Sequence, residues 1–156
     1  MPAILTHDFF GRDAYPVVAD RLGLVTLDEH DAFLLGNQGP DPLFYLVADP
    51  RVDPSNRVGD LMHHVRPARL LASLRDALTM LARSERSVGE AYAAGFLCHY
   101  LLDSSVHPLV YANQYAICDA GIDGLDRSDA TEVHAEIERD LDEMVLFSKA
   151  HQTVAT

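Results

Sequence analysis

The sequence contains no tryptophan, two cysteines, and 12 basic residues against 24 acidic ones. Each shortage excludes something. Two cysteines, Cys98 and Cys118, cannot build a disulfide framework, and with no export signal in view both are expected to be reduced. A formal net charge of −12 leaves no broad electrostatic footprint for duplex nucleic acid or for an anionic membrane. No run reaches the ~18–20 apolar residues of a transmembrane segment. Met1-Pro2-Ala3-Ile4-Leu5 passes directly into Thr6-His7-Asp8, without a basic region or a long apolar stretch. No signal peptide is visible there, so a cytoplasmic location is expected. No internal repeat is evident.

What is present is a chain of 156 residues, 48% hydrophobic, with eight histidines. That length suits one domain, residues 1–156, able to bury roughly 68–70% of its unfolded surface. Breaker-rich segments lie at 36–42, 49–59 and 119–128. The pattern between them is helical. Leu70, Leu71, Leu74, Leu78 and Leu81 form an amphipathic stripe over 69–83. Residues 88–106 are apolar nearly all round, which predicts a buried central helix with Cys98 as a small core residue. Pro108 disfavours helical geometry at His107, so that helix is expected to end there. Asp129-x-x-Glu132 reads as a capping box opening a helix that runs to about Lys149. A short helix over 29–35 should stop at Gly36. No window alternates convincingly with period two. The expected fold is all-α, a single compact multi-helix domain.

The histidines and carboxylates carry the chemistry. His99, Asp103 and His107 follow one another at i, i+4 and i+8, on one face over three turns. His134 and Glu138 repeat the i, i+4 spacing on the last long helix. Imidazole and carboxylate groups one turn apart can grip one ion, and such donors at about 2.0–2.2 Å suit Zn²⁺. Spacing alone is close to chance in a chain with eight histidines and 24 acids. Context adds weight: His99 and Asp103 lie in an apolar helix, where burial is costly unless they pair or bind metal. A hydrogen-bonded His–Asp pair on one helix answers that cost equally well. Asp41, in Gly39-Pro40-Asp41-Pro42, reads as a turn or cap residue. Thr6 is a plausible helix cap beside His7. His63 and His64 point in different directions on any helix. His30 and His151 read as surface residues, and Asp140, Asp142 and Glu143 as a solvated acidic face.

In order, these elements are Thr6-His7, Phe33-Leu34-Leu35-Gly36-Asn37-Gln38-Gly39-Pro40-Asp41-Pro42, Gly59-Asp60-Leu61-Met62-His63, Ala91-Tyr92-x-x-Gly95-Phe96-Leu97-x-His99-Tyr100-x-x-Asp103-x-x-x-His107-Pro108, and His134-x-x-x-Glu138. The ordered set resembles the zinc-dependent phospholipase C family, whose superfamily also holds single-strand nucleases with a trinuclear zinc site. The resemblance spans about residues 6 to 142. It implies an all-α domain with a buried metal-cluster site of two or three zinc ions. Asp41, His63, His99 and Asp103 would hold one. His107, His134 and Glu138 would hold a second. His7 and a bridging Asp103 would hold the third. The chain stops 18 residues after Glu138, so a short form is expected.

The implied activity is hydrolysis of phospholipid headgroup esters, with Asp41 and Asp103 as the catalytic aspartates. Asp41 would orient or deprotonate the attacking water. Zinc ions would create a local anion site in an otherwise repellent field. A single-strand nuclease on the same scaffold is the alternative. It would want stacking aromatics and basic residues near the site, and both are scarce. A relative that binds metal without turnover is the other. An HD-type phosphohydrolase, suggested by His7-Asp8 and His63-His64, fits the downstream order poorly. The expected partner is a phospholipid or other phosphodiester, with no duplex nucleic acid and no transmembrane segment.

Overall fold

The computed structural model describes residues 4–48 and 58–151, with the side chains of 45–48 left aside. The start Met1-Pro2-Ala3 and most of the expected breaker segment 49–59 therefore lie outside the described residues. Those that are described form six α-helices: α1 (Ile4–Leu22), α2 (Leu27–Asn37), α3 (Val58–His64), α4 (Pro67–Ala77), α5 (Arg86–Cys118) and α6 (Ala130–Ala150). Short 3₁₀ segments lie at Asp41–Ala48, Leu78–Met80 and Arg127–Asp129. No strand occurs among the described residues, and the fold is all-α. No described helix is long and apolar enough to cross a membrane.

The chain groups into two compact units. Phe10–Tyr100 makes a central unit, and Met1–Phe9 with Leu101–Thr156 makes a terminal unit. Helices α1 and α5 contribute residues to both.

In the central unit Phe33, Ala91, Cys98 and Leu24 form the buried core, with Phe10, Tyr15 and Val18 packed against it. Two glycines set the crossing of α2 and α5. A Cβ on Gly95 would lie 2.0 Å from the Phe33 carbonyl oxygen, and one on Gly36 would lie 2.1 Å from that of Tyr92. Gly36 is thus a contact inside α2, not the expected stop. Helix α2 starts with a capping box: Thr26 Oγ accepts from the Glu29 amide, and Glu29 accepts from the amides of Val25 and Thr26. The expected helix over 69–83 divides at residue 78 into α4 and a 3₁₀ turn. Its Leu74, Leu78 and Leu81 line an apolar cavity of about 390 Å³ with Leu35, Val88 and Tyr92.

In the terminal unit α5 continues ten residues past Pro108 to Cys118, beyond the expected end at His107. Pro108 forfeits one backbone hydrogen bond, a cost of about 3 kcal/mol in a helix interior. The turns beyond it bury Val110, Gln114 and Cys118 at i, i+4 and i+8, which offsets that loss. The Leu97 and Leu101 side chains are exposed, so the middle of α5 is less enclosed than its composition predicts. The box expected at Asp129 forms three residues earlier. Asp126 accepts from the Ser128 amide, and Asp129 accepts from the Asp126 amide. The Arg127 guanidinium donates both ways to Asp119 at 2.8 and 2.6 Å, fastening the loop between α5 and α6.

Candidate metal centres

Arg86–Cys118 is one helix, so His99, Asp103 and His107 fall on successive turns of α5. His99 belongs to the central unit, Asp103 and His107 to the terminal unit.

The central unit joins Asp41, His63 and His99. Asp41 opens the 3₁₀ segment after α2 and is buried, its amide bonded to the Gln38 carbonyl. His63 closes α3. Its Nδ1 meets the Gly59 carbonyl one turn back at 2.8 Å, and its Nε2 meets Asp41 Oδ1 at 2.8 Å. The backbone contact fixes the ring's orientation, a role normally filled by an outer hydrogen-bond partner of a ligating histidine. His99 is fully buried, with Nε2 at 4.0 Å from Asp41 Oδ1 and its ring edge-on to that of His63 at 5.4 Å. Gly39 makes this approach feasible. It sits at φ +56, and a Cβ there would lie 2.3 Å from the His99 ring. The Tyr100 hydroxyl donates to the Met62 carbonyl at 2.6 Å, tying α5 to α3 beside the two histidines. His64 points elsewhere: it is exposed and faces Asp60.

The terminal unit holds two further groupings. His7 Nε2 lies 3.3 Å from Asp103 Oδ1, both largely buried. His7 stands inside the first turns of α1, not after a Thr6 cap, because α1 begins at Ile4. Its segment is held by Asp142. That carboxylate accepts from the Leu5 amide at 3.1 Å and from the Thr6 amide and hydroxyl at 2.7 Å each. Asp142 therefore satisfies first-turn donors of α1 from α6, and is not part of a merely solvated face.

The second grouping is His107, His134 and Glu138, whose donor atoms all lie within 4.8 Å of one another. Glu138 Oε1 is 3.0 Å from His134 Nε2 and 3.6 Å from His107 Nε2. Burial pushes the Glu138 carboxyl up, but the two imidazoles outweigh it and hold the group down at about 2, from 4.5. Glu138 is thus an ionised donor between two imidazoles. Gln114 Oε1 meets Nδ1 of His134 at 2.8 Å. Tyr111 packs its ring at 5.3 Å from His134 and 5.6 Å from His107. Burial, with Glu138 adding to it, raises the Tyr111 phenol above its ordinary value and keeps it protonated.

No protein-family model, curated protein or solved structure matches this chain. The donor geometry therefore stands on its own. Two imidazole nitrogens and a carboxylate oxygen, each about 2.0–2.1 Å from one ion in tetrahedral array, stand about 3.3–3.4 Å apart. The two separations to Glu138, 3.0 and 3.6 Å, bracket that edge. The residues present fit a metal ion, with a coordination position left for another ligand. His30 and His151 take no part: His30 packs its ring against Tyr15, and His151 ends α6 with a left-handed φ of 52.

Gln114 and Asp142 were not legible as site residues. For Gln114 a faint signal exists: it is the polar member of an apolar stripe and stands seven residues, two turns, beyond His107. For Asp142 there is none, since its partners lie 136 and 137 positions away.

Proposed function

We propose that this protein is a zinc-dependent phosphodiesterase, resembling the phospholipase C family, that hydrolyses phospholipid headgroup esters. The observation that carries the reading is the convergence of His107, His134 and Glu138 donor atoms within 4.8 Å. Two histidines and one glutamate form a donor set that zinc hydrolases use, because three protein ligands leave a position open for water or substrate. In this reading Asp41, His63 and His99 form a second zinc-binding group, and His7 with Asp103 a third.

A bound Zn²⁺ supplies Lewis acidity toward a phosphoryl oxygen and lowers the pKa of a bound water toward ~7. The chain's own residues do the rest. Glu138 stays ionised and offsets the charge of the ion. His63 is aimed at Asp41 by the Gly59 carbonyl, so Asp41 keeps a fixed orientation as the carboxylate that accepts a proton from the attacking water. With a net charge of −12 the chain as a whole disfavours anions, and cations bound at these centres would give a phosphodiester a local site of opposite sign.

The test is metal analysis of the purified protein, followed by release of phosphorylated headgroup from a choline phospholipid, run beside single-stranded DNA. The expected result is bound zinc and lipid hydrolysis, lost in Asp41→Asn and in Glu138→Gln and retained in His151→Ala. Hydrolysis of DNA alone would move the reading to a nuclease. Zinc bound without turnover of either would move it to a non-catalytic metal protein.

A further inference from the structure

The stripe Val110, Gln114, Cys118 is buried at each member. An amide side chain in that setting costs roughly 1–3 kcal/mol unless a hydrogen bond replaces its water. Gln114 finds its partner on α6: its Oε1 lies 2.8 Å from Nδ1 of His134. The neighbours one turn to either side, Val110 and Cys118, are almost fully enclosed, so the amide cannot swing away without opening the packing. With the amide oxygen toward the ring, Nδ1 of a neutral His134 is the donor of this bond and carries the proton. In the neutral ring that leaves the lone pair on Nε2, which lies 3.0 Å from Glu138 Oε1 and belongs to the group with His107, so a metal ion in place of a proton would join the two acceptors.

The geometry points to Gln114 as the positioning residue of the His107–His134–Glu138 centre: it selects the His134 tautomer and ring angle that place the Nε2 lone pair toward a metal ion. This rests on the metal-binding reading above and adds to it a residue outside the donor set. A ligating histidine commonly donates its second ring N–H to an acceptor, and losing that acceptor weakens metal affinity 10–100-fold. Gln114 supplies that acceptor from a helix rather than a loop, so its position is fixed by the packing of α5.

Two variants separate positioning from packing. Gln114→Met keeps volume and burial but removes the acceptor. Gln114→Glu keeps an acceptor oxygen at the same reach. Zinc affinity is measured by competition with a chromogenic chelator, beside melting curves of the metal-free proteins. Met should weaken zinc binding 10–100-fold with a metal-free melting curve near that of the wild type, whereas Glu should bind as tightly as the wild type or more tightly. Long-range proton–nitrogen NMR of the metal-free wild type should show the His134 ring proton on Nδ1. Unchanged affinity in Met, an equal loss in Met and Glu, or a proton on Nε2 would each overturn the assignment. The NMR result decides the matter even if Met fails to fold. A wild type that binds no zinc would overturn the metal reading itself, while zinc bound equally by wild type and Met would overturn only the role of Gln114.

Discussion

At the scale of single residues, charge is placed with little waste. Glu29 is buried yet ionised. The Thr26 amide, a hydrogen bond from Ser87 and the Val25 amide hold its carboxyl at about 2, down from 4.5. A carboxyl depressed on folding contributes stability above its unfolded value, and that contribution drains away as pH falls from about 4.5 toward 2. Melting temperatures across that range should therefore fall steeply for the wild type. In Glu29→Gln they should start lower at neutral pH and depend less on acid. Parallel curves for the two proteins would show that Glu29 does not supply the linkage. The Glu29 box was legible in principle, since Thr26-x-x-Glu29 has the capping spacing, yet the expected helix began inside it. His99 and Asp103 were legible as expensive residues in an apolar helix. What each would face was not, because periodicity states a direction and not a partner.

Helices here are positioned by what they lack. Gly36 on α2 and Gly95 on α5 allow the two backbones to touch, and the carbonyls of Tyr92 and Phe33 fill the space that side chains would take. Intrinsic propensity and packing then disagree about Gly95→Ala. Propensity favours alanine in a helix interior by about 1 kcal/mol. Packing opposes it, because a Cβ would sit 2.0 Å from a backbone oxygen that cannot rotate aside. Overfilling of this kind costs about 1–3 kcal/mol or more. Gly95→Ala should therefore lower the melting temperature, measured by circular dichroism; a rise would mean that α2 and α5 do not cross so closely. The run of small residues around Gly95 announced a close approach in the sequence. Pro108 misled for a physical reason: its local preference is real, but two further turns of buried surface outweigh it. The break at residue 78 has no counterpart in the leucine stripe, which continues at helical spacing across it.

For the whole molecule, helix content was readable from the near absence of period-two patterns, whereas the grouping into a central and a terminal unit was not. That grouping depends on contacts between residues 4–9 and α6, and such distant pairs leave no mark on local composition. Metal is the expected source of extra stability at this scale. An ion that binds the native state alone stabilises it by about 2.7 kcal/mol at a hundred times Kd. For a chain of this size that corresponds to roughly 5–10 °C in Tm. Zinc should raise the melting temperature of stripped protein by that order at each saturated centre, and chelator should reverse it. A melting curve indifferent to both would remove the structural case for bound metal.

The bonds from Asp142 to Leu5 and Thr6 also set an order of events at the ribosome. The turn carrying His7 is made well before its anchor, which follows Thr6 by 136 residues. At 5–20 residues per second that interval is roughly 7–27 s. Throughout it the amides of Leu5 and Thr6 lack the Asp142 carboxylate, and His7 lacks Asp103 until about half of α5 is made. The earliest-made histidine of the candidate centres is thus among the last to reach its place, and a chain ended before α6 would keep His7 but lack His134, Glu138 and the Asp142 bonds that hold its turn.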